Sequence, residues 1–582
     1  MTLVSRFCFY PLLFCTLFIS DVSADELRRE LLTPAFLLEA TVMEQPVQMT
    51  AFSSSVTSTA SAVTNPQPVH WRFSLADKTQ AKMRVLRDDY GFTEKSSQKV
   101  SRLPIIEMNF IQSGADLIPV ERKAIASDHP HWEYIVGPGR IWNEQADGEF
   151  SRAAIPFSLR ERNANCTHNG VMSFLFKPDG TTSNMAFQVV SETCLYLKFD
   201  FWGLANITLE PTVIADADQV ISRYRQEVAN RLPIKTIDQL VLDYPALGAG
   251  VIAASGKINP ADMTLFGLVI DDTHYVGGCQ TRYGVYPYCD VLDLPSYSLA
   301  KSVFAGLGLM YLEKHYPGSS ELLIADFVPA CKANAAWKGV TFNNALDMAT
   351  GNYQSAKSSK DEGSKTMRAK FFVPETHSEK IDYICQQMPR KAAPGTRWVY
   401  HTADTYLLST AISQFLKEKN GEQADFFNDV FLALWRPLQL SPVTEMTSRS
   451  YDATAQPFAG YGLTMHRDDI ARMASTMNNR ASYLNKLLDQ TMWDSAMQRL
   501  PEDRGLAALD GDFRYSNGFW AYNVQSVTAC KKTLWLPLMS GYGGISVVMM
   551  PNDTVYYYFS DGGAFSWLDA AIASNSQRSY CH

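Results

Sequence analysis

Hydrophobic patterning separates a strand-rich N-terminal third from a longer C-terminal part of mixed pattern. In the N-terminal third, short apolar runs carry the alternation, or the aromatic and β-branched content, that is typical of strands. These runs are Phe36–Val42, Ile105–Ile111, Val171–Phe176, Met185–Val190 and Leu195–Trp202. The Ser/Thr-rich stretch 53–65 is expected to form an exposed loop. We therefore predict a β-rich accessory domain over residues 25–232.

A helix and then a change of pattern mark the end of this domain. Apolar residues recur at helical spacing through Ala215–Asn230, and Pro233 ends the run. Residues 233–582 have strand patterns at both ends and helical patterns between them. The strand patterns are Gly250–Ser255, Thr264–Ile270, Ile545–Met550 and Thr554–Ser560. This order predicts one antiparallel sheet that the chain leaves and rejoins, in an α+β fold.

The first 24 residues have the pattern of a secretory signal peptide. Arg6 precedes an apolar segment over 7–19, and Val22-Ser23-Ala24 forms a small-residue cleavage site. No later segment is apolar for long enough to cross a bilayer. We therefore expect a protein that is exported across the inner membrane to the periplasm and has no integral membrane span.

Cysteine usage and charge narrow the function further. Eight cysteines follow residue 24, an even number that favours disulfides in an oxidising compartment. Pairing in sequence order closes the shortest loops and is the pairing we expect: Cys166 with Cys194, Cys279 with Cys289, Cys331 with Cys385, and Cys530 with Cys581. No CxxC spacing or histidine cluster accompanies them, so we expect no metal site. A net charge of −8 over 582 residues argues against nucleic acid as a partner.

Candidate chemistry begins at Ser298 and Lys301, at the start of a long apolar run. If a helix begins at or just before Ser298, the two side chains share one face and the lysine can take the serine's proton. The residues that follow are too uniformly apolar for a surface helix: Val303, Phe304, Leu307, Leu309, Met310 and Leu312. Burial would lower the pKa of Lys301, and the free N–H groups at the helix start would supply an oxyanion donor.

The Ser-x-x-Lys pattern alone has a second interpretation. It also occurs at Ser96 and Lys99, in a polar stretch with no apolar run after it, where we take it for chance. At Ser298 the pattern is equally consistent with a helix cap and a solvated lysine beside it. The rest of the chain is needed to choose between the two.

Five later segments follow Ser298 in a characteristic order. They are Trp337–Gly351, Pro394–Ser409, Tyr461–Arg472, Gly518–Trp520 and Ser540–Ser546. In that order the segments resemble the serine hydrolases of the β-lactamase and penicillin-binding-protein fold. Class C β-lactamases, related carboxylesterases and 6-aminohexanoate-dimer hydrolases look most similar. The resemblance spans roughly 245–565 and implies a catalytic domain over 233–582, with an antiparallel sheet flanked by helices and a helical lobe.

The resemblance implies a role for each motif residue. Ser298 would be the acylated nucleophile, Lys301 its proton acceptor or relay, and Tyr400 the family's catalytic tyrosine. A phenol can act as a base near neutral pH only if a cation lowers its pKa, and Lys301 is the expected cation. The backbone N–H of Tyr542 would be the second oxyanion donor, paired with that of Ser298.

The resemblance also implies substrate-binding positions, and at Thr402 and Met539 the sequence departs from the family pattern. Ser540 and Gly541, on what the motif implies is an edge strand, are expected at the substrate, because glycine allows close approach. Thr402 is placed in the substrate-binding group too, although the family usually has asparagine there. Met539 replaces a lysine or histidine that helps to bind a substrate carboxylate, so penicillins and peptidoglycan stems are disfavoured. His401 is interpreted as a wall residue rather than a base.

These observations favour an exported serine hydrolase that cleaves an ester or amide bond through an acyl-enzyme on Ser298. Its expected partner is a small-molecule ester or amide, with no metal or organic cofactor; the oligomeric state stays open. Two alternatives remain at this point. One is a catalytically inactive binding or scaffold protein that retains the fold, favoured by the changes at Thr402 and Met539. The other is a penicillin-binding peptidase or a β-lactamase.

Overall fold

A computed structural model describes residues 31–54, 61–63, 67–75, 82–93, 100–479, 482–509, 511–528 and 530–581. The predicted signal peptide, the second Ser-x-x-Lys copy at Ser96 and Lys99, and much of the Ser/Thr-rich stretch lie outside the described residues. The described chain combines many helices with two large sheets, which confirms the α+β class.

The N-terminal part of the chain forms one antiparallel sheet of 12 strands. In chain order they are Ser61–Ala62, Val69–Leu75, Lys82–Asp88, Glu107–Ser113, Asp116–Pro119, Trp132–Val136, Gly139–Asn143, Ser151–Glu161, Thr167–Phe176, Met185–Thr193, Phe199–Ala205 and Ile207–Pro211. One aromatic core packs on it, including Phe73, Phe110, Trp132 and Phe187, each fully buried. Four of the five predicted strands are confirmed, the last one only from Phe199 onward.

The strand predicted over Phe36–Val42 is wrong, because the segment forms the helix Pro34–Glu39. The Thr33 side chain accepts a hydrogen bond from the Phe36 N–H at 3.2 Å, and Pro34 occupies the first helical position. A capping threonine followed by proline is a helix-start signal that outweighs the apolar run.

The C-terminal sheet has nine strands, and helices cover both of its faces. In spatial order the strands are Ile234–Thr236, Thr273–Gly278, Met263–Ile270, Val555–Ser560, Ile545–Met549, Trp535–Gly541, Phe519–Asn523, Phe513–Ser516 and Leu506–Ala508. The first pair is parallel and the others are antiparallel. Strands from both ends of this part therefore meet at the centre of one sheet, as predicted.

Alternation along the central strands sends their side chains into two different cores. Val555, Tyr557 and Phe559 pack into the larger helical core, whereas Tyr556 and Tyr558 pack against a smaller one on the other face. The larger core includes the helices Leu307–His315, Phe342–Leu346, His377–Gln387, Thr402–Asn420 and Arg467–Asn478. The smaller one is closed by Ile237–Asp243, Pro245–Gly256 and Leu568–Gln577. A further helix, Ala217–Ala229, confirms the predicted helix between the two sheets.

The strand predicted over Gly250–Ser255 is also wrong, because these residues lie inside the helix Pro245–Gly256. This helix packs against Leu568–Gln577, and Gly250 lies at the contact. A short run of small apolar residues is ambiguous between a buried helix and a buried strand. Here the glycine serves close helix packing.

The strand Trp535–Gly541 is internal, so its prediction as an edge strand is wrong. It pairs with Ile545–Met549 on one side and with Phe519–Asn523 on the other. However, the register with Phe519–Asn523 ends at Leu538. The last residues of the strand, Met539–Gly541, extend past that neighbour, so the strand end is locally open on one side.

The predicted disulfide pairing is confirmed at all four positions. In the part of the chain that the structure describes, no helix combines the length and apolar character needed to cross a bilayer. Within the same ranges, no three His, Cys, Asp or Glu side chains group so that they could hold a metal ion.

Buried ion pairs join the N-terminal sheet to the C-terminal part. Lys198 Nζ lies 2.5 Å from Asp262 Oδ1 and 3.1 Å from Asp561 Oδ1. Arg282 contacts the carboxylates of both Glu192 and Asp200, which are 2% and 1% exposed. Charges buried in this way are costly to separate from their partners. The division into two domains stays a prediction, but the two sheets share a specific interface.

Gly250→Ala should destabilise the protein, although alanine favours helix. A Cβ at Gly250 would lie 2.9 Å from the Asp569 carbonyl oxygen and would clash with the Ala573 side chain. We expect the free energy of unfolding to fall by about 1–3 kcal/mol, measured by urea denaturation. Gly256→Ala in the same helix is the control, because nothing lies within 4 Å of its added Cβ. Equal effects of the two substitutions would contradict the packing argument.

Candidate active site

Ser298 lies at the end of a tight turn that leads from a short strand into a helix. Leu294–Pro295 pairs with Thr464–Met465, and the helix follows directly, with Lys301 N–H donating to the Ser298 carbonyl at 3.0 Å. Tyr297, just before the serine, has φ +41°, a left-handed conformation that costs a bulky residue energy. This turn leaves the Ser298 side chain partly exposed at the start of a buried helix.

Asn165, from the loop between the strands Ser151–Glu161 and Thr167–Phe176 of the N-terminal sheet, holds this turn in place. Its Oδ1 accepts from the Tyr297 N–H at 2.6 Å and from Ser296 Oγ at 3.3 Å. Its Nδ2 donates to the Leu463 carbonyl at 3.2 Å, and Asn165 is only 1% exposed. The sequence analysis missed Asn165, because its partners are more than 100 residues away and no local motif includes it.

Lys301 is buried beneath Ser298, with its amine surrounded by three oxygens. Nζ donates to Ser298 Oγ at 3.0 Å, to Thr402 Oγ1 at 2.9 Å and to the Gly460 carbonyl at 3.1 Å. Burial lowers the pKa of Lys301 to about 8, although the charge of Glu362 acts in the opposite direction. The serine and the lysine are therefore in direct contact, as the helical spacing allows. The first helical turns, Lys301–Gly306, are a π-helix, a form often found at functional sites.

Tyr400 completes the group around Ser298. Its hydroxyl donates to Ser298 Oγ at 2.5 Å, and Lys301 Nζ lies 5.1 Å from the centre of its ring. The ring stacks on Trp520, with centroids 6.2 Å apart and planes 19° apart. Burial raises the pKa of Tyr400, and the charge of Glu362 raises it further. The expectation that Lys301 lowers this pKa is therefore wrong: the phenol is protonated at neutral pH and acts as a donor.

Thr402 connects Lys301 to Glu362, a residue that the sequence analysis missed. The Thr402 hydroxyl accepts from Lys301 and donates to Glu362 Oε1, and its N–H donates to Glu362 Oε2 at 2.9 Å. The helix Thr402–Asn420 begins here, so the carboxylate also lies at a helix N-terminus, where negative charge is favourable. Glu362 lies 40 residues before Thr402 in a polar stretch, which gave no local signal of a role.

His401 is held as a buried cation. It is 1% exposed, with Nε2 3.1 Å from Asp361 Oδ2 and Nδ1 3.8 Å from Asp404 Oδ2. The two carboxylates raise the pKa of His401 to about 10 in spite of its burial. An imidazolium at neutral pH cannot accept a proton, which agrees with the interpretation that His401 is not a base. Its burial means that it does not line an open wall.

The strand end at Ser540 and Gly541 approaches the turn of Ser298. A Cβ added to Gly541 would lie 3.2 Å from the Ser296 carbonyl oxygen, so the two backbones are close. Within the described ranges, neither the Ser298 N–H nor the Tyr542 N–H has a hydrogen-bond acceptor. Free main-chain donors next to a nucleophile can stabilise an oxyanion. Tyr542 itself is 50% exposed.

Aromatic rings from both parts of the protein surround this strand end. The Tyr542 ring lies 5.8 Å from that of Tyr297 and 6.2 Å from that of Tyr196, which belongs to the N-terminal part. Met539 is 2% exposed and packs in the larger core. Position 539, for which the sequence analysis noted the absence of a lysine or histidine, is therefore apolar and buried.

The comparisons with known proteins give distant structural similarity only. No family model and no curated protein matches the chain. Among solved structures, the chain is similar to EstCE1, a hydrolase with promiscuous acyltransferase activity, at 15% identity over 57% of this chain and 99% of that one, with a TM-score of 0.44. A class C β-lactamase is 13% identical over 57% of this chain and 97% of that one, with a TM-score of 0.42.

A third similar structure is described as a 6-aminohexanoate-dimer hydrolase of Bacillus anthracis. It is 18% identical over 54% of this chain and 78% of that one, with a TM-score of 0.39. At such identities and TM-scores, function has to be argued from the geometry of the site.

Asn165→Ala should impair the reactivity of Ser298 more than its effect on stability explains. The substitution leaves the Tyr297 N–H buried without an acceptor and removes one of the two donors to the Leu463 carbonyl, which keeps the Ser296 N–H at 2.9 Å. We therefore expect a loss of about 1–3 kcal/mol in unfolding free energy. A shifted turn misplaces the serine, so its reaction with a fluorophosphonate should slow by about 10- to 100-fold, measured by intact-mass spectrometry.

Gln188→Ala is the matched control for Asn165→Ala. Gln188 is fully buried and remote in sequence from the site. Its side-chain amide accepts a hydrogen bond from the Val47 N–H and donates one to the Val47 carbonyl, each at 2.8 Å. It should lose similar stability with an unchanged fluorophosphonate reaction rate. Equal slowing in both variants would show that Asn165 has no specific role at Ser298.

Proposed function

We propose that this protein is a serine hydrolase that forms an acyl-enzyme on Ser298. One observation carries the proposal: Ser298 Oγ lies 3.0 Å from the buried amine of Lys301 and 2.5 Å from the hydroxyl of Tyr400. A hydroxyl beside a desolvated amine is an activated nucleophile, because the amine can be neutral near physiological pH. The cap interpretation of Ser298 requires a solvated lysine, whereas Lys301 is 2% exposed.

The roles in the reaction follow from the protonation states. Neutral Lys301 accepts the proton of Ser298 while Oγ attacks the substrate carbonyl, and the oxyanion rests on the N–H groups of Ser298 and Tyr542. Tyr400, protonated at neutral pH, then gives its proton to the leaving group and regains one from the Lys301 ammonium. Water releases the acyl group by the reverse sequence of proton transfers.

The surroundings favour an uncharged ester or a small amide as substrate. Met539 is apolar and buried where a cation would be needed to bind a substrate carboxylate. Half-exposed Tyr542 and partly buried Trp520 offer aromatic surface beside Ser298 and Tyr400. Four disulfides fit a protein that works in an oxidising compartment, so we include export to the periplasm in the proposal.

Ser298→Ala should lower the turnover of p-nitrophenyl butyrate by about 10³-fold or more, because no other group can form the acyl-enzyme. Ser96→Ala, in the second Ser-x-x-Lys copy, is the matched control and should leave turnover unchanged. Circular dichroism confirms that both variants fold. Unchanged turnover in Ser298→Ala would remove this serine from the mechanism.

Labelling of the wild-type protein tests the two other interpretations. We expect a fluorophosphonate adduct on Ser298 and little labelling by fluorescent penicillin. The absence of an adduct with either probe favours an inactive scaffold, which the changes at Thr402 and Met539 support. Efficient labelling by penicillin favours the peptidase or β-lactamase interpretation. Peptide mapping by mass spectrometry identifies the modified residue.

The rate should depend on pH through Lys301. Its pKa is lowered to about 8, so the amine is neutral above this pH and is an ammonium, with no lone pair, below it. kcat/KM should therefore rise with pH by about tenfold per unit and level off above about pH 8. A pH profile of kcat/KM in buffers of constant ionic strength measures this rise and the pH at which it levels off. A limb near pH 6.5 with no change around pH 8 would contradict the assignment of Lys301 as the base.

A further inference from the structure

A continuous hydrogen-bonded chain runs from a carboxylate to the candidate nucleophile. Glu362 Oε1 accepts from the Thr402 hydroxyl, Thr402 Oγ1 accepts from Lys301 Nζ at 2.9 Å, and Nζ lies 3.0 Å from Ser298 Oγ. Thr402 and Lys301 are 3% and 2% exposed, so water does not compete freely for the bond between them, whereas Glu362 is partly exposed. In this series of hydrogen bonds, Lys301 donates to Thr402 and Thr402 donates to Glu362, so both donors point towards the carboxylate.

The number of protons determines what this chain does to the lysine. Thr402 has a single hydroxyl proton, and the carboxylate of Glu362 can only accept it. The Thr402 oxygen is therefore available to Lys301 only as an acceptor, and the Gly460 carbonyl, 3.1 Å from Nζ, is an acceptor too. A neutral amine has two N–H groups and one lone pair. With both N–H groups bonded to Thr402 and Gly460, the lone pair faces Ser298.

Without the carboxylate, Thr402 could turn its proton towards Lys301. The lysine lone pair would then accept from Thr402, and one of its N–H groups would face Ser298 instead. Such an amine cannot take the serine's proton. The orientation of the hydroxyl at Thr402 thus decides whether the base is aimed at the nucleophile.

Glu362 is itself fixed in place by its neighbours. It accepts from two donors of Thr402, the hydroxyl and the N–H. The adjacent Asp361 accepts from the N–H groups of Gln354 and Ser355 at 2.7 and 2.9 Å, and from His401 Nε2 at 3.1 Å. Residues 361 and 362 therefore hold the start of the helix Thr402–Asn420 at two successive positions.

We propose that Glu362 is a positioning residue that acts through Thr402 to aim the lone pair of Lys301 at Ser298. The proposal rests on the proposed function, since it assigns a task within the same reaction. It also explains the threonine at position 402: a hydroxyl with its proton bound to a carboxylate presents an acceptor to the lysine, as the oxygen of a side-chain amide can.

A double-mutant cycle tests this route. Thr402→Val removes the hydroxyl at nearly constant volume, and Glu362→Ala removes its acceptor. Each should lower kcat for p-nitrophenyl butyrate by about 10- to 100-fold, the range expected for a misdirected general base, with KM little changed. In the proposal Glu362 aims the lone pair only through Thr402, although its charge also raises the pKa of Lys301. On the pH plateau above about 8, where this charge effect no longer changes the protonation of Lys301, adding Glu362→Ala to Thr402→Val should therefore lower kcat less than about twofold further. A double variant whose loss in kcat equals the product of the two single losses would overturn the proposal.

Conservative variants separate positioning from loss of structure. Thr402→Ser keeps the hydroxyl and should recover kcat to within about threefold of wild type. Glu362→Gln keeps the size of the side chain, but its amide cannot accept from both Thr402 donors, so it should also lower kcat. It stands in if Glu362→Ala does not fold. Glu379→Gln, an exposed charge in the helix His377–Gln387, is the control and should leave kcat unchanged.

The outcomes for Ser298 and for Glu362 can be told apart. Full activity of Ser298→Ala would refute the proposed function as a whole. An inactive Ser298→Ala, together with wild-type kcat in both Glu362→Ala and Glu362→Gln, would refute only the role of Glu362. Failure of Thr402→Ser to recover activity that Thr402→Val loses would likewise refute it.

Discussion

The burial of one amine is the constraint on which the rest of the site depends. An ammonium taken out of water must be matched by acceptors, and Lys301 has three of them, from the turn of Ser298, the helix start at Thr402 and the loop at Gly460. Gly460 has no side chain, and a Cβ there would lie 3.2 Å from the Thr402 methyl group. Three segments distant in sequence are thus brought together around a single nitrogen.

Local spacing predicted the contacts of the candidate site better than any other signal. Ser298 and Lys301 are one helical turn apart, which allows them to meet but fits a helix cap with a solvated lysine equally well, and the structure has the two groups 3.0 Å apart. The order of later motifs predicted that Tyr400 and Thr402 would join them; the roles of all four residues stay predictions. Strand patterns predicted four of the 12 strands in the N-terminal sheet and three central strands of the nine in the C-terminal sheet. Phe36–Val42 and Gly250–Ser255 were predicted wrongly, because short apolar runs fit a helix as well as a strand until caps and packing partners are known.

Nonlocal contacts could not be predicted from the chain. Asn165 and Glu362 reach the site from other segments, and no spacing rule joins them to Ser298. The direction of the pKa shift at Tyr400 was also inaccessible, because it depends on burial and on the charge of Glu362, which the sequence does not locate. Contact partners and desolvation are determined only in the folded protein, whereas motifs can be recognised in the linear sequence.

The bond between Asn165 and the turn at Tyr297 has a consequence for removing the N-terminal part of the chain. The Tyr297 N–H is buried, and its acceptor comes from a loop of the N-terminal sheet, more than 100 residues earlier in the sequence. Without that loop, a buried N–H next to Ser298 would have no acceptor. Residues 233–582 therefore contain Ser298, Lys301 and Tyr400 but are not self-sufficient at the turn that presents the serine.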